Sequence, residues 1–220
     1  MAEDCALWRA RREAHPDSAA LIRDAALRRF AAHGVAGTTL RVIASDAGVS
    51  LGLVQHRFGT KERLVDAVDQ YVIDLVRSKL ALDDAHGRQK ALDEDVEDTG
   101  LRVRELIGEH PAVVDYLARA MIDDTAIGAR TFDALFEIGR QRWGRRAEKN
   151  ELQADVVDLT WAALHPLVLT LGTVILRRHV ERQLPESFGA PTQLERWETS
   201  VNALLHHGQL RAPAVTHDSV

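Results

Sequence analysis

Apolar residues recur every three or four positions along most of the chain, and short polar or glycine-bearing breaks divide them into helices. Ile22, Ala26 and Phe30 lie four apart and form one helical stripe, with Asp17 or Ser18 as cap and Gly34 as stop. Thr39 caps a second helix carrying Leu40, Ile43, Ala44 and Ala47, and Gly48 then forces a turn. Ser50 caps a short third helix to about Arg57, and Thr60 caps a fourth from Lys61 to about Leu82. Three helices in so short a span, two of them joined by a glycine-centred turn, describe a helix-turn-helix.

Beyond residue 82 the pattern predicts a larger helical body, with helices near 91–109, 111–122, 125–147, 151–182 and 192–208. Pro111 suits a first helical turn, and Pro185 with Pro191 bounds a loop. The last helix has an apolar face in Leu194, Trp197, Val201, Leu204 and Leu205. The fold class is therefore all-α: an N-terminal three-helix helix-turn-helix domain over 17–65, and a larger C-terminal helical domain over 66–220. Residues 1–16, with Arg9, Arg11 and Arg12, read as a flexible arm, either a minor-groove reader or a solubilising tail.

Composition narrows the class. With 45% hydrophobic residues and only 6 Pro and 14 Gly, the chain supports a helical core and not a disordered one. Cys5 is the single cysteine, which rules out an internal disulfide and suits a reducing cytoplasm. The first residues lack the apolar core of a signal peptide. The 18 residues from Leu159 to Leu176 carry no formal charge and reach the lower limit for a membrane span. His165 and Pro166 near their centre, with Thr160, Thr170, Gly172 and Thr173 around them, point instead to a buried subunit interface with no membrane contact. The net charge of −5 is unevenly divided: residues 1–65 hold 10 Lys/Arg against 7 Asp/Glu, and residues 66–220 hold 18 against 26. A basic end on an acidic body orients a protein on phosphate. The acidic run at 93–98 reads as a solvated helix start or loop, since it lacks the loop glycine or partner histidine of a metal site. No metal or other cofactor is expected.

The stretch from Val35 to Leu64, VAGTTLRVIASDAGVSLGLVQHRFGTKERL, resembles the DNA-binding segment of the TetR/AcrR family of bacterial repressors. Gly34, Thr38–Thr39, Ile43–Ala44, Ala47-Gly48-Val49-Ser50, Gly52, Phe58, Lys61 and Leu64 fall at family spacing, and the likeness covers about residues 17–65. Physically, Val49 and Phe58 bracket the recognition helix as its anchors, and Ser50 turns a positive helix end toward phosphate. Thr38, Thr39 and Lys61, with Arg41 in the same set, are expected at phosphate. Base reading falls to Leu51, Leu53, Gln55 and His56; a glutamine amide pairs with the N6 and N7 edge of adenine. The family commonly has an aromatic residue where Gln55 stands and His or Tyr where Arg57 stands, so this chain departs there. Arg57 either binds phosphate or packs its stem.

The resemblance implies a homodimer on double-stranded operator DNA, joined through the helices at 151–182 and 192–208, since one helix-turn-helix reads few base pairs alone. The plain alternative is that both stripes face only their own core. It also implies a small-molecule effector bound in the C-terminal body that releases the repressor from a palindromic operator. Tyr116, Met121, Phe132, Phe136, Trp143, Trp161 and His165 are the expected pocket residues, with Trp161 and His165 one turn apart and Pro166 disrupting the helix beside them. Activation is the alternative sign of regulation. An enzyme is not expected, because a phosphate loop, a nucleophile elbow and an HExxH pair are all missing from the sequence. A helix-turn-helix kept only as a protein-interaction scaffold is the remaining rival.

Overall fold

The computed structural model describes residues 18–80, 96–153 and 155–210. The N-terminal arm, Asp17 as a cap, the end of the fourth helix past residue 80 and the first residues of the acidic run lie outside them. The described chain forms two compact units, divided after Ile73. The resemblance suggested a boundary after residue 65. The difference lies in α4 (Lys61–Lys79), where Leu64, Val68 and Val72 recur every four residues with no exposure.

In the first unit, α1 (Ser18–His33) buries Ile22, Ala25, Ala26, Leu27 and Phe30. Gly34 ends it with a φ of 73°, a left-handed conformation costly to a residue with a Cβ, and its N–H donates to the Phe30 carbonyl at 2.9 Å. The next helix, α2 (Leu40–Asp46), begins where the Thr39 hydroxyl accepts the Val42 N–H at 3.3 Å, and it buries Ile43 and Ala44. Ala47 caps its end outside the expected stripe. Gly48 then takes a φ of 67°, and Val49 donates back to the Ala44 carbonyl at 2.9 Å. Helix α3 (Leu51–Phe58) starts on Ser50, whose hydroxyl accepts the Leu53 N–H at 3.2 Å.

The second unit contains α5 (Val96–Glu109), α6 (Pro111–Ile122), α7 (Ala126–Glu148), α8 (Leu159–Ile175), the short α9 (Arg177–Val180), a 3₁₀ turn over Glu181–Gln183, and α10 (Pro191–Gln209). Helices α6 and α7 approach closely: a Cβ added to Gly128 would collide with the Ala120 carbonyl oxygen. One core gathers Trp143, Leu152, Val157, Ala162, Ala163 and Leu210; another gathers Ile107, Ala118, Val174, Phe188 and Leu194. Among the described residues, a lone antiparallel bridge joins Leu152 to Leu210.

The single helix expected over 151–182 is corrected. Asn150 ends α7 with a φ of 59°, and residues 151–153 and 155–158 are not helical. Asp158 then caps α8 by accepting the amides of Thr160 and Trp161 at 2.8 and 3.1 Å. The chain breaks again at Leu176, and Arg177 of α9 is held by Asp115 of α6 at 2.9 Å. Pro166, expected to disrupt the helix, sits inside a continuous α8. No single helix among the described residues is long and apolar enough to cross a membrane; only α8 joined to Arg177–Gln183, across a bend of 69°, has the length and composition.

Candidate nucleic-acid interface and effector cavity

The first unit presents α3 to solvent on one side and anchors it on the other. Val54 carries no exposure and is the anchor; Val49 and Phe58, expected in that role, are only half-buried. Val54 falls one turn beyond Ser50, so it could have been read from the periodicity of a helix starting at Leu51. Gln55, His56 and Arg57 follow it directly, all exposed, and Leu51 and Leu53 are half-buried. The helix ends at Gly59, whose φ of 74° turns the chain so that Thr60 caps α4 through the Arg63 N–H at 3.3 Å. This cap places the partly exposed Lys61 just beyond the C-terminus of α3.

The second helix supplies the exposed Thr39 and Arg41. Thr38 is a correction to the expected phosphate set. It is 2% exposed, and its hydroxyl donates to the Gly34 carbonyl at 2.9 Å, so it ties the end of α1 to the start of α2. A capping threonine and a buried one look alike in a Thr-Thr pair until the direction of the loop is known.

An ion pair holds the same frame. Arg29 of α1 reaches Asp46 at the end of α2, with Nη2 to Oδ1 at 2.9 Å. The hydrogen bond to Arg29 holds the Asp46 carboxyl below its usual value, and the bond to Asp46 raises the guanidinium. Arg23 of α1 lies over the Tyr71 ring of α4, 3.8 Å from its centre. The arrangement offers amide, imidazole and guanidinium groups on one short helix, flanked by a hydroxyl and two further cations.

The second unit encloses a cavity of about 210 Å³. Of the expected pocket residues, Met121 and Trp143 line it. Tyr116 is buried elsewhere, Phe136 packs on the Trp143 core, and Phe132 is half-buried away from the cavity. Trp161 is 53% exposed, and its ring lies 5.6 Å from that of His165, which is hydrogen-bonded to Gln209 at 2.7 Å. The cavity instead uses the other face of α8, through Ala163, Pro166, Leu167, Thr170, Leu171 and Val174. Spacing placed Trp161 and His165 on one face correctly, but spacing does not say which face a helix turns inward. The last turn of α4 also contributes, through Val76, with Leu80 just after it.

The outward face of α8 carries Trp161, Val168 and Ile175, seven apart and 53%, 55% and 41% exposed. Leu204 of α10 is 62% exposed, whereas Leu194 and Leu205 of the same helix point inward. A Cβ added to Gly172 or Gly208 meets no atom within 4 Å. This apolar stripe lacks cover within the chain, among the described residues.

Residues 22–68 match the model of the bacterial regulatory proteins, tetR family. The chain is 39% identical over 102 residues to the HTH-type transcriptional regulatory protein RaaS of Mycobacterium tuberculosis, a match covering 46% of this chain and 44% of that protein. It is 42% identical over 50 residues to the HTH-type transcriptional regulator BetI of Burkholderia thailandensis, covering 23% of this chain and 26% of BetI. The chain thus spans less than half the length of these curated relatives. Among solved structures, the ketosteroid transcriptional regulator KstR2 of Mycobacterium tuberculosis superposes with a TM-score of 0.69 at 18% identity, over 90% of this chain and 97% of that one. AibR, solved with isovaleryl coenzyme A and operator DNA, superposes at 0.65 and 14% identity, over 86% and 98%.

Proposed function

Since this chain belongs to the tetR family of bacterial regulatory proteins through its residues 22–68, we propose that it is a homodimeric repressor released from a palindromic operator by a small molecule. The observation that carries the reading is the exposed row Gln55, His56 and Arg57 on a short helix whose opposite side is locked by the fully buried Val54. Such a helix enters the major groove, where Gln55 reads adenine and the half-buried Leu51 and Leu53 offer apolar contact to thymine methyls. Thr39, Arg41, Ser50, Arg57 and Lys61 hold the sugar-phosphate chain and set the register.

The second copy covers the stripe of Trp161, Val168, Ile175 and Leu204, since apolar side chains so regularly exposed on neighbouring helices are a subunit contact in waiting. Doubling the reader gives a two-fold symmetric site and explains why a palindrome is needed. A protein whose target is the chromosome works in the cytoplasm.

The response to an effector follows from the shared helix. Helix α4 continues from the reading unit into the cavity wall, where Arg102 donates to the Leu80 carbonyl at 3.4 Å and Lys79 is paired with Glu109. A ligand against Val76 and Leu80 favours one setting of this turn over another, and release requires that difference in affinity.

Gel retention on palindromic fragments from around the gene tests the reading. Specific retention is expected in dilute buffer, with affinity falling by orders of magnitude between about 50 and 200 mM salt. A chain that ignores every such fragment is not an operator-binding regulator.

A further inference from the structure

The cavity in the second unit is walled mainly by hydrocarbon, from Leu135 and Ile138 of α7 to Leu167, Leu171 and Val174 of α8. Among the described residues, the charged side chains that reach this wall are Arg102, Arg142, Arg146 and Glu198. Each is engaged inside the protein. Arg142 donates to the Thr99 hydroxyl at 2.9 Å, Arg102 to the Leu80 carbonyl at 3.4 Å and Arg146 to Glu151 at 3.3 Å, while Glu198 is held by Arg104 at 2.7 Å. The three arginines make further interactions besides. A charged guest has to draw one of these groups from its partner, or else exchange water for hydrocarbon without one.

Two further polar side chains on the wall carry no charge, Thr170 of α8 and Asn202 of α10. Two hydrogen bonds fix the register of these helices. Gln209 is joined to His165 at 2.7 Å, and the Trp197 indole donates to the Thr173 hydroxyl at 3.2 Å. Residues 165 and 173 thus meet 209 and 197, so the helices run antiparallel and Thr170 stands level with residues 201 and 202. Asn202 is seated where Gly100 of α5 lacks a side chain, since a Cβ there would lie 2.7 Å from its amide oxygen. A hydroxyl and a primary amide therefore share one level of an otherwise apolar wall, and both groups can donate to an oxygen on a guest.

We propose that the effector is an uncharged apolar molecule carrying a hydrogen-bonding oxygen, with its body between α7 and α8 and that oxygen at Thr170 and Asn202. This rests on the reading of the cavity as the effector site, so binding and operator release are measured separately.

Equilibrium dialysis of the full chain without DNA compares four probes of one shape: 2-acetylnaphthalene, naphthalene, 2-naphthoate and 2-naphthylmethylamine. The ketone should bind saturably and about 2- to 10-fold tighter than naphthalene, the margin of a hydrogen bond between uncharged groups. It should also bind at least about 10-fold tighter than the carboxylate or the ammonium, which lose their hydration on entry. Asn202→Leu and Thr170→Val each remove a polar group and nearly keep its volume. In at least one of them the margin over naphthalene should vanish while naphthalene binding is retained, and the second serves where the first fails to fold.

An ion that binds as tightly as the ketone, a ketone no better than naphthalene, or no saturable binding of any probe overturns the proposal. So does a preference that survives both substitutions. A ketone that binds with the stated margins but leaves operator retention unchanged at saturation keeps the ligand class and removes the release mechanism. An ion that binds best and frees the operator does the reverse.

Discussion

The two units of this chain solve opposite problems with the same secondary structure. The first, up to Ile73, spends its apolar residues on a small, filled core: Ile22, Phe30, Ile43, Val54, Leu64 and Val68 all have no exposure. Its surface is left to polar and cationic groups. The second unit leaves a cavity within its core and an apolar stripe on its outside. On the proposed function, a reading head must hold a few side chains rigidly, and a sensing body must have room for a guest and a face for a partner. The family model matches residues 22–68, the likeness to RaaS extends over 102 residues at 39% identity, and over 90% of the chain the likeness to KstR2 is one of fold at 18% identity. Rigid positioning constrains sequence tightly; an apolar wall accepts many residues of similar volume.

The sharpest way to break this division is to make the outer stripe polar. Val168→Glu with Leu204→Glu should yield a monomer in sedimentation, with operator affinity lowered by roughly 10²-fold or more through loss of the second reader. The circular dichroism of the reading unit should be unchanged. A double variant that remains a dimer would show that the stripe serves another purpose.

Within the reading unit, the filled core predicts a steep response to volume. Val54→Ala should cost roughly 2 kcal/mol, from two methyl groups and the space they leave, seen as a lower urea midpoint. A similar deletion at the cavity wall, Leu171→Ala, should cost less, because that side chain already borders empty space. Equal costs would erase the contrast between the two cores.

On the surface of the reading unit, Arg57→Ala and Lys61→Ala should each weaken binding evenly across operator sequences. Each should also flatten the plot of log affinity against log salt by about 0.9. Gln55→Ala should instead relax the base preference and leave the salt slope alone. If Arg57→Ala leaves the slope unchanged, its stem packs and its charge is idle.

The smallest effect concerns Arg29 and Asp46. The carboxyl of Asp46 is held below its usual value of 3.8, so its contribution is present above that value and is lost as pH falls through the lower folded one. Asp46→Asn should therefore melt slightly below the parent at neutral pH, and the gap should close in acid. High salt should narrow it too, since both partners are exposed to solvent.

Most of the reading unit was legible because its signals are local. Thr39 and Ser50 cap the helices they precede, and Gly34, Gly48 and Gly59 stand where φ is positive. The glycines leave little choice of conformation, and the caps fix where each helix begins. The exposed trio at 55–57 then follows from helical phase. Thr38 was misjudged because its role depends on carbonyls of α1, which its immediate neighbours do not specify.

The sequence alone decided the class of fold, the position of the reading helix and the residues it shows to solvent, because each depends on contacts a few residues apart. Which face of α8 looks inward, where the long helix breaks between Glu151 and Asp158, and which arginines meet at the cavity were decided by tertiary packing. Trp161 and Pro166 have equally good claims to an interior by composition. Only the approach of α7 through Gly139 to Ala163, at 3.4 Å from an added Cβ, turns the Pro166 side toward the cavity and leaves Trp161 outside. Periodicity sorts residues into faces, and the neighbouring helices determine which face each one buries.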